Sequence, residues 1–267
     1  MEHKFINSER GEVHYWINRG IGVNAKCIVF THGLTANHMM FEKQVAFFSY
    51  KYIVIVWDVP LHGKSRPYKN FSYMNAAIEL KNILDTENID KVILVGMSMG
   101  GYPSQEFAHL YPEKVLAFIA LDTTPFGLDY YSKLDKWWLK QVGRIAKWIP
   151  NGLLRTSMAK SVTKTQYAYD LMLKMLLPSG KQDIIEQLDI AYRGFLKENK
   201  NVKYNFPVLI LLGQFDKTGK VKQYCEAWAK KENYPLHIIK NASHFANADN
   251  PESVNHEISN FIMNHLN

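Results

Sequence analysis

Residues Lys91 to Gly101 read K-V-I-L-V-G-M-S-M-G-G, a short apolar run rich in β-branched residues that stops abruptly in small residues around one serine. Such a run, too short for a helix and punctuated by glycine, predicts a buried strand, a tight turn and the start of a helix. Within it Gly96, Ser98 and Gly100 fit the pattern G-x-S-x-G, in which the serine occupies a strained strand-to-helix turn. The glycines have a steric reason. Where strand and helix backbones pinch together, a Cβ two positions either side of the serine has no room.

Around this stretch, short apolar runs alternate with helical patterns. Lys4 to Ile17 predicts an antiparallel hairpin turning through Asn7 to Gly11. Strands are expected at Lys26 to Thr31, Lys51 to Trp57, Val115 to Leu121, Pro207 to Leu212 and Leu236 to Lys240. Helices are expected up to Phe48, over Asn75 to Leu84, over Lys220 to Lys231 and after Pro251, where Val254, Ile258, Phe261 and Ile262 share one helical face. This alternation predicts an α/β fold, a mostly parallel central sheet with helices on both faces. Functional groups should then gather beyond the carboxyl ends of the strands. Residues 124–204 break the rhythm with long helical patterns and no strand signal, so an inserted helical cap is expected there, dividing a core of 1–123 and 205–267.

Composition sets the outer bounds. At 47% hydrophobic and 21% charged, the chain is that of a globular protein with ample core. The charged N-terminus Met1-Glu2-His3-Lys4 lacks the apolar stretch of a secretory leader, and no run reaches the length of a membrane span, so no stable membrane anchor is expected. Two isolated cysteines, Cys27 and Cys225, suit a reducing cytosol and read as packing residues. A cytoplasmic location follows as an expectation. The net charge of +7 is carried by residues 124–206, which hold fourteen basic against seven acidic side chains. No nucleic-acid module accompanies them, so a solvated basic face is the simpler reading, with an anionic substrate or surface as the alternative.

Three predicted strand ends offer, in chain order, Ser98, Asp216 and His244. Together with His32-Gly33 after an early strand and the Asp58 to Ser65 loop, that order resembles the α/β-hydrolase fold superfamily, in its lid-bearing serine hydrolase branch. The resemblance spans nearly the whole chain and is weakest through the cap. A serine hydroxyl is a weak nucleophile at neutral pH and needs a base within hydrogen-bond reach, a role expected of His244, while a carboxylate, expected of Asp216, orients and stabilises the imidazole. The resemblance also implies an oxyanion hole from the backbone N–H groups of Leu34 and Met99.

Each position has a competitor. Asp122 also closes a strand, Asp58 reads as a loop brace, and His32 and His62 as loop-stabilising rings. His237 lies within a strand, and His256 and His265 on the last helix. No zinc or paired-cysteine pattern and no phosphate or dinucleotide loop is present, so neither metal nor cofactor is expected. Two departures from the family pattern stand out: Leu61 where relatives carry glycine, and Pro103 just after the turn, tolerable because the first helical N–H groups lack partners. Serine at 98, not aspartate, argues against the dehalogenase and epoxide-hydrolase branches.

The expected activity is hydrolysis of a small or medium carboxylic ester through an acyl-enzyme on Ser98, the partner being a small-molecule substrate rather than nucleic acid. In relatives the same triad also serves thioesters, lactones, monoacylglycerols, amides and carbon–carbon bonds next to ketones, so the bond type stays open. A ligand sensor that binds without turnover, and acyl transfer to an acceptor other than water, are the remaining alternatives.

Overall fold

The computed structural model describes residues 1–20 and 25–266. Eight strands form one sheet: β1 (Glu2–Ser8), β2 (Gly11–Asn18), β3 (Cys27–Thr31), β4 (Ile53–Trp57), β5 (Val92–Met97), β6 (Val115–Leu121), β7 (Val208–Gly213) and β8 (Leu236–Ile239). Their spatial order is β1-β2-β4-β3-β5-β6-β7-β8, with β2 antiparallel to both β1 and β4 and every pair from β4 to β8 parallel. The helices are α1 (Glu42–Phe48), α2 (Tyr73–Thr86), α3 (Gly101–Leu110), α4 (Lys133–Leu139), α5 (Val142–Ala146), α6 (Asn151–Val162), α7 (Gln166–Leu176), α8 (Lys181–Glu198), α9 (Val221–Glu232), α10 (Ala246–Asp249) and α11 (Pro251–Leu266).

The central strands are buried on both faces, which is why they read as unbroken apolar runs rather than as alternating ones. Successive side chains still part company. Ile28, Phe30, Val54, Val56, Ile93 and Val95 pack on one face with Phe48, Ile258 and Ile262, while Val29, Ile55, Leu94, Phe118 and Ile210 pack on the other with Leu80, Phe107 and Trp228. Helices α1 and α11 thus cover one face, and α2, α3 and α9 the other.

Five helices, α4 to α8, intervene between β6 and β7, and no strand occurs among the described residues there. They lie over the carboxyl ends of the strands, because Leu154, Leu171, Met172 and Leu188 join the same apolar cluster as Met97 and Leu121 at the ends of β5 and β6. Both cysteines are buried and unpaired.

Candidate active site

Ser98 follows directly on β5, with φ at +51°, a left-handed backbone that a non-glycine residue adopts at a cost. What holds it there is close packing. A Cβ on Gly96 would lie 2.6 Å from the Cα of Gly101, and one on Gly100 would lie 2.1 Å from the carbonyl oxygen of Thr31. The Thr123 hydroxyl, from the end of β6, donates to the Ser98 carbonyl at 2.6 Å and pins the turn from below.

Asp216 and His244 arrive from the next two strand ends. After β7 the chain turns through a bond from Asp216 N–H to the Gly213 carbonyl at 3.1 Å, while Phe215 N–H donates to the Ala242 carbonyl at 2.8 Å. These two loops are thereby stitched together, and the side chains meet. His244 Nδ1 lies 2.8 Å from Asp216 Oδ2, and Nε2 lies 2.8 Å from Ser98 Oγ. The other carboxylate oxygen of Asp216 accepts the Thr218 N–H at 2.8 Å. Burial pushes the Asp216 carboxyl up, but the adjacent His244 and the bonds from His244 and Thr218 outweigh it and hold the group below the usual carboxylate range. An imidazole that contacts a hydroxyl and is backed by an ionised carboxylate can accept and return that hydroxyl's proton, the carboxylate stabilising the imidazolium that forms.

The competing residues are spent elsewhere. Asp122 accepts the Gly213 N–H at 2.6 Å, and burial, then the neighbouring Asp216 charge, raises its pKa well above the ordinary value. Asp58 accepts the His38 N–H at 2.8 Å and the Lys64 N–H at 2.7 Å, bracing the loop that follows β4. His32 Nε2 accepts the Val59 N–H at 3.0 Å, its Nδ1 lies 2.7 Å from the Gly33 carbonyl, and His62 Nδ1 lies 3.1 Å from the Pro60 carbonyl. Burial lowers His32 to about 4 and His62 to about 3, so both are neutral. His237 pairs with Glu257 at 2.6 Å, and His256 and His265 are exposed on α11. Leu61 occupies the loop with φ at +70°, the left-handed backbone that glycine would adopt freely. Asp122, Asp216 and His244 each bring one ligand-capable atom within 4.8 Å of the others. Asp216 and His244 are bonded to each other, and Asp122 is bonded to the Gly213 N–H.

Two cavities open on the serine. The larger, about 590 Å³, is walled by aromatic side chains including Tyr73, Tyr102, Tyr131, Trp138 and Phe195. The smaller, about 220 Å³, is walled by Met40, Met97, Met158, Met172, Val162 and Phe245. Leu34, Ser98, Tyr192, Thr218 and His244 belong to both, so the serine sits where they join. Met99 lines the larger one.

Sequence reasoning missed Asp249, whose carboxylate anchors the residue before His244, and Thr123 beneath the turn. Neither carries a motif; a carboxylate closing a four-residue helix, as Asp249 does α10, has no sequence signature until its partners are known.

Residues 26–251 match the family profile described as alpha/beta hydrolase fold. The chain is 23% identical to 3-oxoadipate enol-lactonase 1 of Acinetobacter baylyi, the match covering 90% of this chain and 89% of the relative. It is 22% identical to the 2-hydroxy-6-oxononadienedioate/2-hydroxy-6-oxononatrienedioate hydrolase of Cupriavidus pinatubonensis over 98% of this chain and 95% of that one. Among solved structures, a thermophilic esterase from Thermogutta terrifontis superposes with a TM-score of 0.78 at 20% identity over 99% of both chains.

Proposed function

The chain belongs to the α/β-hydrolase fold family, and from that premise we propose that it is a serine hydrolase cleaving a small or medium carboxylic ester through an acyl-enzyme on Ser98. One observation carries the reading: the unbroken series from Asp216 through His244 to Ser98, with both bonds at 2.8 Å. As Ser98 Oγ attacks the ester carbonyl, His244 Nε2 takes the hydroxyl proton and Asp216 stabilises the resulting imidazolium. The tetrahedral oxyanion is received by the N–H groups of Leu34 and Met99, a kind of contact whose single loss costs about two to three powers of ten in turnover. Collapse breaks the ester C–O bond, and His244 returns the proton to the departing alcohol. Water then repeats the sequence on the acyl-enzyme, releasing the acid and restoring Ser98.

In this reading residues 124–204 act as a cap domain that shapes the two cavities, and the unequal volumes on either side of Ser98, about 590 and 220 Å³, suit an ester with one bulky apolar half and one short half. The relatives named above as an enol-lactonase and as a 2-hydroxy-6-oxononadienedioate hydrolase support the second reading, a lactone or carbon–carbon bond hydrolase acting through the same three residues of this chain.

A panel of p-nitrophenyl esters of graded acyl length, run beside an enol-lactone and a vinylogous 1,5-diketone, separates these. Ester turnover with an optimum chain length, lost in Ser98→Ala, is the expected result. Turnover of the lactone or diketone with inert esters would transfer the assignment to the second reading, and binding without turnover of any of them would favour a sensor.

A further inference from the structure

Among the described residues, six exposed large apolar side chains fall within one short segment of the chain: Leu134, Trp137, Trp138, Ile145, Trp148 and Leu153. Trp148 is 89% exposed, Leu134 61%, Trp137 53% and Trp138 52%. Six within twenty consecutive residues is denser than the scattered apolar exposure of an ordinary surface. On α4, Leu134, Trp137 and Trp138 stand at i, i+3 and i+4 and share one side of the helix, while Asp135 and Leu139 line the larger cavity. Lys133, Lys136 and Lys140 follow at i, i+3 and i+7 along the edge of the exposed side.

Charge says what covers this face. Lys133, Lys136, Lys140 and Lys147 fall within residues 133–155 with a single acid, while Arg155 is turned inward onto the Ser179 carbonyl. That one acid, Asp135, is bonded at 2.7 Å to Lys220 at the start of α9 and so does not offset the lysine edge. Next to Lys140, a shallow concavity is lined by Arg193, Leu196 and Lys197 of α8; Arg193 is paired with Asp189 at 2.9 Å, so Lys197 is the side chain that extends the lysine edge. Tryptophan beside lysine is the composition that seats at a lipid headgroup layer, the indoles at the acyl boundary and the ammonium groups on anionic headgroups. No helix of the described residues is long and apolar enough to cross a membrane, so the contact is peripheral.

We propose that the face formed by residues 133–155 docks on an anionic phospholipid surface, and that the larger cavity draws its ester from that surface. Trp138 is exposed on α4 and also lines the larger cavity, so one indole borders both. The docking half stands alone; the delivery half rests on the serine-hydrolase reading above.

The test is sedimentation of the wild-type chain and of Ser98→Ala with phosphatidylcholine vesicles, with and without phosphatidylglycerol, at low and high salt. Both proteins should bind the anionic vesicles only and leave them at high salt. A triple variant of Lys133→Gln, Lys136→Gln and Lys140→Gln should bind about 100-fold more weakly, at about fivefold per lysine. A Trp137→Ser, Trp148→Ser variant should also lose affinity while keeping its melting temperature, and brominated lipid should quench the wild-type tryptophan fluorescence. Absent binding, equal binding to neutral vesicles, or a concentration-dependent dimer that the tryptophan variant dissolves would overturn the docking. If docking holds but a vesicle-dissolved p-nitrophenyl ester turns over no faster on anionic than on neutral vesicles, the delivery half falls. If no ester turns over under any condition, the hydrolase reading fails while vesicle binding still decides the docking.

Discussion

The carboxylate of Asp249 accepts the N–H of Ser243 at 2.9 Å, and so fixes the residue immediately before His244. The same carboxylate accepts the Lys164 N–H at 2.9 Å, the Thr165 N–H at 2.7 Å and the Thr165 hydroxyl at 3.0 Å, while on the far side of His244 the Phe245 N–H donates to the Val162 carbonyl at 2.8 Å. The histidine loop is therefore clamped to the linker between α6 and α7. Asp249→Asn turns one accepting oxygen into a donor facing N–H groups and should destabilise the fold by about 1–3 kcal/mol. On the proposed mechanism it should also lower kcat by about one to two powers of ten with little change in KM, because a base displaced by a fraction of an ångström loses its alignment. Urea unfolding and ester kinetics on the same variant check both.

The two carboxylates at the ends of β6 and β7 should separate cleanly by function. Asp216→Asn leaves His244 without its orienting acceptor and should cost turnover about four powers of ten. Asp122→Asn keeps an acceptor for the Gly213 N–H and should leave turnover within about tenfold, since its bond is to the backbone and not to His244.

Asp122 should instead reveal itself in stability. Its folded pKa lies above its unfolded value, so the native state holds that proton more tightly; the stability it contributes is complete below the unfolded pKa and is lost as pH rises through the folded one. Asp122→Asn removes that loss. Urea midpoints should fall for wild type from pH 4 upward relative to the variant, and parallel curves would contradict the burial of a neutral acid.

Two buried histidines act at the other end of the scale. His32 and His62 are lowered to about 4 and about 3, so the unfolded chain binds protons that the native state refuses, and stability falls as pH drops below about 6.5 towards those values. The limiting slope is about 1.4 kcal/mol per pH unit for each ring. His62→Gln should flatten the acid limb of the stability curve, read by unfolding at a series of pH values.

The turn below Ser98 should tolerate no side chain. Gly100→Ala would place a methyl group 2.1 Å from the Thr31 carbonyl oxygen, a backbone atom of β3 that cannot step aside without opening the sheet. The variant should lose several kcal/mol, of the order of the larger overpacking penalties, or fail to accumulate as folded protein, as judged by circular dichroism. Gly152→Ala, with nothing within 4 Å of the added carbon, is the matched control and should be neutral or slightly stabilising.

Much of the sheet was legible because its strands are buried on both faces and leave unbroken β-branched runs; Val115 to Leu121 was delimited to the residue, and others to within two residues. Ser98, Asp216 and His244 were legible as strand-end residues, since glycine and small side chains cluster where the sheet stops. The clamp at Asp249 was not, because its meaning lies in the backbone of Lys164 and Thr165, more than eighty positions away in sequence. Nor was the left-handed backbone of Leu61, which the chain adopts against the residue's own preference because Asp58, Lys64 and Ser65 close the loop around it. The boundaries of the short helices α4 and α5 were equally hidden, as helices of five to seven residues owe their existence to packing on α8 rather than to their own periodicity.

If Ser98 is an activated nucleophile, a fluorophosphonate should label it covalently, as read by peptide mapping with the rate followed against pH. Labelling confined to Ser98, abolished in Ser98→Ala and strongly slowed in both His244→Ala and Asp216→Asn, is the result expected of the series Asp216, His244, Ser98. An unlabelled Ser98, or labelling that proceeds at the same rate without His244, would contradict it.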